Sequence, residues 1–271
     1  MRKYLLASRA GIISAKRLSK SLGLLFHTNV HKIRPNSVIA FRYGNWETSN
    51  RILRDTETNS IRSIHRMSNK PNLWRLTGTD VIVPPYFSPT NYTSFNDFKD
   101  GERVLYFGRK KYHRAGTDII PFSTGEDVPN GIDYVVPYMR VTREYRIHYL
   151  FGEIVKCFRK IDTGNTSDSL IRTTAFGWNF QRARFNSIKH NNKLLSTVKK
   201  AAEIVGCNFG GFDVGWSPPW NAWILFEVNS APALNSETLK LYSERFKEVL
   251  NNGVHKSKEN SFRGESINRE S

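Results

Sequence analysis

The sequence predicts an α/β protein, more broadly of the α+β class, in which helices and strands are mixed along one chain. Three observations lead to this prediction. Residues 4–41 alternate strand, helix and strand patterns; residues 211–232 indicate two strands joined by a Pro-rich turn; and 192–205 and 236–250 have the apolar spacing of amphipathic helices. The 271 residues, 39% hydrophobic and 13% aromatic, are enough to bury a sizeable core.

The N-terminal part predicts a small folded unit. Residues 4–7, 24–26 and 37–41 are typical of short strands, and 14–22 of a helix that ends at a glycine. A removable targeting peptide is the alternative, because this part contains Arg and Ser, lacks acidic residues and is amphipathic. The regular strand, helix, strand order favours the folded unit.

The middle of the chain adds further short elements. A polar, turn-rich stretch over 45–60 separates them from the N-terminal unit, and we place a boundary near residue 66. Pro71 is typical of the first turn of a helix. The predicted elements are, in order, a helix over 69–76 and strands over 79–84, 103–109 and 119–122.

The net charge of +17 indicates an anionic partner, such as a nucleotide, a nucleic acid or an acidic peptide. Residues 1–46 contain nine Lys and Arg and no acidic residue, which leaves 32 basic against 24 acidic side chains in the rest. About half of the excess is therefore N-terminal. A basic nucleic-acid-binding protein is one function that this charge would support.

Membrane and disulfide-rich classes are not favoured. No apolar run approaches the roughly 18 residues of a membrane span. Cys157 and Cys207 are too sparse for a disulfide framework or a thiolate metal site. We expect two buried, reduced thiols in a cytoplasmic protein without a membrane partner.

The polar side chains with the clearest chemistry lie in the segment 211–232. A hairpin that turns about Trp220 brings Asp213 opposite Glu227, with Asn229 on the same face. The other face is then wholly apolar. Its predicted pairs are Phe212 with Val228, Val214 with Phe226 and Trp216 with Ile224.

Facing carboxylates need a compensating charge. With Cβ atoms about 5 Å apart, Asp213 and Glu227 would repel each other in a bare sheet. A hard divalent cation takes oxygen ligands from carboxylates and amides, and Mg²⁺ completes its shell with phosphate oxygens and water. The set therefore predicts a magnesium-nucleotide site. The alternative is that the two acids point to solvent or pair with nearby Lys and Arg side chains.

These residues resemble the ATP-grasp carboxylate-amine ligases, in particular small members of the glutamate-ligase type. The family signature has an acidic residue on one strand and Glu-x-Asn on the next, as in Asp213 and residues 227–229 here. Upstream, 134–139 resembles the hinge whose backbone contacts adenine, and 144–148 resembles the strand after it. Residues 104–119 resemble the strand with a nucleotide-contacting cation and its phosphate loop.

The resemblance implies a role for each matching position. The nucleotide would be contacted by Lys70, Arg109, Gly116, Val136, Tyr138, Glu144 and Lys160; Mg²⁺, with Mn²⁺ as an alternative, would be held by Asp213, Glu227 and Asn229; and Arg146 and Arg172 would be catalytic.

Two departures from the family pattern stand out. The phosphate loop has a single glycine, and Arg109 stands where many members have lysine. A solvated strand face would also explain the alternation of Glu144 and Arg146 with apolar residues.

The implied organisation has three parts. Residues 1–66 would be the small domain that precedes the grasp, 67–250 the grasp with lobes at about 67–133 and 134–250, and 251–271 a disordered tail. The implied reaction joins a carboxylate to an amine with ATP, through an acyl phosphate. The substrates would be an amino acid or an acidic peptide. A ligase that modifies a nucleic acid or an acidic protein, and a nucleotide binder without ligase activity, remain alternatives.

Overall fold

The structure, a computed structural model, describes residues 1–49, 54–55, 58–91, 104–111, 119–164, 170–173, 176–183, 188 and 190–252. Its longer helices are α1 Ile12–Leu22, α2 Ile61–Ser68, α3 Lys70–Thr77, α4 Asn192–Val205 and α5 Ser236–Asn252. Its strands are β1 Lys3–Ala7, β2 Leu25–His27, β3 Val38–Tyr43, β4 Arg54–Asp55, β5 Leu105–Arg109, β6 Ile119–Ser123, β7 Tyr134–Pro137, β8 Arg143–Leu150, β9 Glu153–Asp162, β10 Trp178–Arg182, β11 Phe209–Ser217 and β12 Ala222–Asn229. No helix within these ranges is long and apolar enough to cross a membrane.

The N-terminal unit is a parallel sheet in the order β2-β1-β3-β4. The predicted strand, helix, strand pattern is confirmed. Helix α1 ends at Gly23, whose φ of 65° is the left-handed conformation that favours glycine at this position. Strand β1 is an inner strand, and four of its five residues are buried. The segment considered as a targeting peptide thus contributes to the core of this sheet.

Helices α2 and α3 connect this unit to the rest of the chain. Helix α2 was not predicted from the sequence. It is short, and its first turn is capped by Ser60, because Ser63 N donates to Ser60 Oγ at 3.1 Å. The boundary placed near residue 66 falls inside α2. Asn69 caps α3 in the same way and accepts a hydrogen bond from Asn72 N at 3.2 Å.

The strand predicted over 79–84 is wrong. Asp80 N and Val81 N both donate to Thr77 O, so the chain turns immediately after α3. Pro84 and Pro85 have no N–H to give to a ladder, so the apolar run does not enter a sheet. A single backbone hydrogen bond, from Leu225 N to Ile82 O at 2.9 Å, ties it to β12.

Two antiparallel sheets form the remainder. A three-stranded sheet has the order β6-β5-β7, and a five-stranded sheet has the order β10-β9-β8-β11-β12. One face of the larger sheet packs against α2, α3 and α4 in a shared apolar core that includes Phe212, Val214, Leu194 and Val198. The opposite face of the sheet carries the polar residues of β8, β11 and β12.

Helix α5 joins the N-terminal sheet to the larger sheet. Phe246 stacks on Phe41 of β3 with ring centroids 4.3 Å apart, and its ring meets Phe209 of β11 at 4.9 Å. The helix continues to Asn252, two residues into the predicted tail, and residues 253–271 lie outside the described part of the chain. The N-terminal unit therefore shares a core with α5.

Candidate active site

The predicted acidic pair lies side by side in the β11–β12 hairpin. Asp213 pairs with Glu227 and Gly211 with Asn229 in the antiparallel register. Because side chains alternate between the faces of a sheet, the three polar side chains share one face. Phe212 pairs with Val228 on the other face. At this end of the hairpin, the predicted register is confirmed.

A β-bulge changes the register toward the turn. Between Asp213 and Val214 the pairing shifts by one residue, so the partners predicted for Val214 and Trp216 are wrong. The bulge adds one residue to β12. Leu225 takes the buried position opposite Val214, while Phe226 lines the polar side. The bulge thus gives the site an aromatic wall without exposing the apolar face.

Asp213 is bound by an arginine from the neighbouring strand. Strand β8 lies beside β11 and places Arg146 opposite Asp213. The guanidinium donates from Nε to Oδ1 at 2.7 Å and from Nη2 to Oδ2 at 2.6 Å, a bidentate pair. Burial alone would lower the pKa of Arg146, but the charge and hydrogen bonds of Asp213 outweigh it and raise that pKa.

Glu227 is paired with the first residue of α3. Lys70 Nζ lies 3.0 Å from Glu227 Oε2, and the lysine side chain is mostly buried. Burial lowers the pKa of Lys70, while the charge of Glu227 opposes that shift. The two acids of the hairpin are therefore compensated by one cation each.

A third ion pair lies one step along the same face. Glu144 of β8 faces Lys160 of β9, and Lys160 Nζ donates to Glu144 Oε1 at 2.6 Å. Glu144 is buried, and burial raises its pKa although Lys160 opposes the shift. Phe180 of β10 underlies both neighbouring cations, with its ring centroid 4.4 Å from Arg146 Cζ and 5.6 Å from Lys160 Nζ.

The predicted hinge, residues 134–139, is hydrogen-bonded to β5. Val136 pairs with Phe107 of β5, and Tyr138 N donates to Leu105 O at 2.7 Å. Arg109, at the end of β5, has a buried Nε with no hydrogen-bond partner among the described residues. An unpaired buried donor is costly, so this atom is suited to an anionic ligand.

Arg172 lies on a loop above the sheet. Its Nη2 donates to Val141 O at 2.7 Å, and its Cζ lies 4.7 Å from the ring centroid of Trp178. Both contacts fix the guanidinium plane at the border of the site.

The predicted site residues that the structure describes line one cavity of about 680 Å³. Of the predicted site residues, Gly116 lies outside the described part of the chain. The cavity is lined by Lys70, Arg109, Val136, Tyr138, Glu144, Arg146, Lys160, Arg172, Asp213, Glu227 and Asn229.

Known proteins of similar structure share this architecture. The chain superposes on D-alanine–D-alanine ligase from Bacillus anthracis with a TM-score of 0.62, 8% identity and coverage of 93% of this chain and 95% of that one. The superposition on D-cycloserine synthetase DcsG has a TM-score of 0.62 and 11% identity, and it covers 93% of this chain and 100% of that one. A third similar structure is the ATP-grasp ligase PsnB, solved with a phosphomimetic variant of its minimal precursor, Mg and ADP. Its superposition has a TM-score of 0.60 and 8% identity, and it covers 93% of this chain and 98% of that one. No family model and no curated protein matches the sequence.

The chain has the ATP-grasp fold. The predicted α+β class is thereby confirmed, since the similarity extends over nearly the whole of each structure. The nucleic-acid interpretation gains no support from these neighbours, which are named as ligases and synthetases.

The cavity of this ATP-grasp fold suits a magnesium nucleotide. Lys70 and the unpaired Nε of Arg109 offer donors to phosphate oxygens. Asp213 accepts one hydrogen bond at each carboxylate oxygen, which leaves further lone pairs for a metal. Asn229 Oδ1 accepts from Ala231 N at 2.9 Å and likewise keeps a lone pair. Among the described residues no cluster of three His, Cys, Asp or Glu side chains is present.

Several side chains that line the cavity were not predicted from the sequence. Phe180 lies on β10, a strand without a clear periodic signal, and Phe226 reaches the cavity only through the bulge. Arg9 and Trp46 come from loops of the N-terminal unit. Only the absence of acidic residues around Arg9 could have drawn attention to that loop.

A buried histidine, His148, predicts that the stability of the fold decreases at acidic pH. His148 is 1% exposed, and its Nδ1 lies 3.0 Å from the hydroxyl of Tyr242. Burial, and secondarily the charge of Arg146, lower the pKa of His148 to about 3. In the unfolded chain histidine binds a proton near pH 6.5. The stability contributed by neutral His148 is therefore complete above about pH 6.5 and is lost as the pH falls toward 3.

We expect this loss to approach about 1.4 kcal/mol per pH unit between pH 6 and 4. Urea unfolding of the wild type and of His148→Gln, which cannot titrate, measures it as the difference between their two slopes. Equal slopes for the two proteins would contradict the assignment of His148 as a buried neutral group.

Proposed function

We propose that this chain is an ATP- and Mg²⁺-dependent ligase that activates a carboxylate and joins it to an amine, releasing ADP. One observation carries the proposal: the side chains assigned separately to metal, nucleotide and catalysis line a single cavity. Three acid–cation pairs hold these side chains in place on adjacent strands and on α3. The structural neighbours that are named as ligases support the same reaction class.

The proposed reaction has two steps. A substrate carboxylate oxygen attacks the γ-phosphorus of ATP, the bond to the bridging oxygen breaks, and ADP leaves. The amine then attacks the acyl carbon of the acyl phosphate, loses a proton, and expels inorganic phosphate. The first step needs positioning and charge neutralisation more than acid-base chemistry.

The chain supplies that neutralisation from several sides. Lys70 and Arg109 would bind the phosphates of the nucleotide, and Arg146 would contact the transferred group while remaining bound to Asp213. Glu144 would bind the ribose hydroxyls through the oxygen not used by Lys160. Arg172 would approach the reacting carboxylate. Gly116, which lies outside the described residues, would contact the nucleotide.

Mg²⁺ would be held by Asp213, Glu227 and Asn229, and when bound it supplies positive charge to the phosphate oxygens. Backbone groups of the hinge at Val136 and Tyr138 would meet the adenine. We also propose the division into a preceding unit over 1–66 and two grasping lobes over 67–250.

A coupled assay of ADP release tests the proposal. Release should require ATP, Mg²⁺ or Mn²⁺, and a carboxylate, and amide product should accumulate only when an amine is added. Amino acids and acidic peptides are the first substrates to screen. ADP release that is independent of any carboxylate, or product formation without ATP, would contradict the proposed function.

We propose a cytoplasmic location from the state of the thiols. Cys157 and Cys207 are both buried and unpaired. Burial raises the pKa of each thiol to about 12, so neither is a reactive thiolate.

A further inference from the structure

The N-terminal sheet presents the carboxyl ends of β1 and β3 to the cavity. Its order reverses between these strands, because β1 leads to β2 on one side and β3 leads to β4 on the other. Open parallel sheets bind ligands in the crevice at such a point. Ser8 and Arg9 follow β1, Gly44 and Trp46 follow β3, and all four residues line the cavity.

These loops are held against the chain that leaves β12. A Cβ atom on Gly44 would lie 2.8 Å from Ala231 Cβ and 2.9 Å from Ser8 Oγ, and one on Gly11 would lie 2.8 Å from Ala231 Cβ. Such an approach leaves no room for a side chain at either glycine. Ala231 in turn donates its N–H to Asn229. The loop that carries Arg9 therefore lies next to the end of the proposed metal site.

The charge of the cavity exceeds what a nucleotide needs. Its described lining contains seven cationic and three acidic side chains, and each acid has its own cation. A triphosphate with one divalent ion keeps about two negative charges. The cavity cations without a carboxylate partner among the described residues are Arg9, Arg109, Lys111 and Arg172.

We propose that Arg9 binds a second anionic group on the carboxylate substrate, so that the preferred substrate is a dicarboxylate unit with a short aliphatic spacer. The inference rests on the proposed ligase function. In the described part of the chain, Arg9 is the cavity cation that the N-terminal unit provides. Its guanidinium can bind a carboxylate with two parallel hydrogen bonds.

Trp46 supplies an apolar wall at the same edge. Its side chain is 42% exposed, and its ring lies 5.4 Å from that of His65, between the N-terminal unit and α2. A short run of methylene groups between two carboxylates would lie against this wall and gain apolar contact. An isolated anion would gain nothing there.

Calorimetric titration of the full chain with Mg²⁺ and ADP present tests this inference. Glutarate and pentanoate have the same chain length but two carboxylates and one, and N-acetylglutamate and N-acetylglutamine repeat the comparison in an amino acid. In each pair, we expect the wild type to bind the compound with two carboxylates about tenfold more tightly than the compound with one. Arg9→Gln should lose about that factor, and Arg9→Lys should lose less.

Lys20→Gln is the matched control, because Lys20 is an exposed cation of the same unit and lies outside the cavity. It should bind glutarate as wild type does. Equal affinity of Arg9→Gln and Lys20→Gln for the dicarboxylates, or no preference of wild type for them, would overturn the role of Arg9. Nucleotide affinity and carboxylate-dependent ADP release, measured on the same proteins, report separately on the ligase function.

Discussion

Asp213→Asn and Glu227→Gln are each expected to reduce turnover by about 100- to 1000-fold while leaving the fold intact. Both acids lie on one face of the hairpin and line the cavity, and each substitution removes a charged metal ligand while keeping the shape of the side chain. Initial rates of ADP release over a range of Mg²⁺ and Mn²⁺ concentrations measure the effect. Circular dichroism verifies the fold.

The metal titration separates the role of these acids as ligands from their role in ion pairs. A lost ligand shifts the metal concentration needed for half-maximal rate, whereas a lost partner for Arg146 or Lys70 does not by itself. Glu244→Gln on the exposed face of α5 is the control, and its rate should stay within about twofold of wild type. Full activity of both site variants would disprove the metal assignment.

Arg146→Met is expected to destabilise the fold by about 3 kcal/mol, because it leaves the carboxylate of Asp213 buried without its cation. Asp213 is 6% exposed and receives two hydrogen bonds from the guanidinium. The double variant Arg146→Met/Asp213→Asn also removes the unpaired carboxylate charge of residue 213, so it should recover most of the lost stability. Urea unfolding of all four proteins in EDTA gives the coupling energy without any metal.

The pair of Arg245 with Glu153 provides a matched comparison on the surface. Glu153 is mostly exposed, so Arg245→Met should cost no more than about 1 kcal/mol. A double variant at the buried pair that is no more stable than Arg146→Met would contradict the proposed source of the loss. Turnover should fall in every protein that lacks Arg146.

The facing acids could be predicted from the sequence because a strand alternates its faces with a strict period of two. Asp213, Glu227 and Asn229 follow that period around a Pro-rich turn. The bulge could not be predicted, since Leu225 and Phe226 are both apolar and either could fill the core position. Packing against Val214 decides between them, and packing is a tertiary property.

The cations that pair with Asp213 and Glu227 could not be predicted, because these pairs depend on contacts between distant segments of the chain. The alternation around Arg146 indicated which side chains share a face, but β8 and β11 are not consecutive strands, so their pairing could not be read from local pattern. Lys70 meets Glu227 only because α3 packs beside β12. The alternative that the two acids pair with cations therefore describes this structure, and it is compatible with a metal between them.

The shared core under α5 has a consequence for biosynthesis. The hydroxyl of Tyr43 in β3 donates to Pro232 O, and Leu234 N donates to Ser14 Oγ in α1. Chains are made from the N-terminus, and early segments often fold first. The apolar face of the N-terminal sheet, which includes Phe41, is covered by α5, so we expect this face to stay exposed on the nascent chain until α5 has been made.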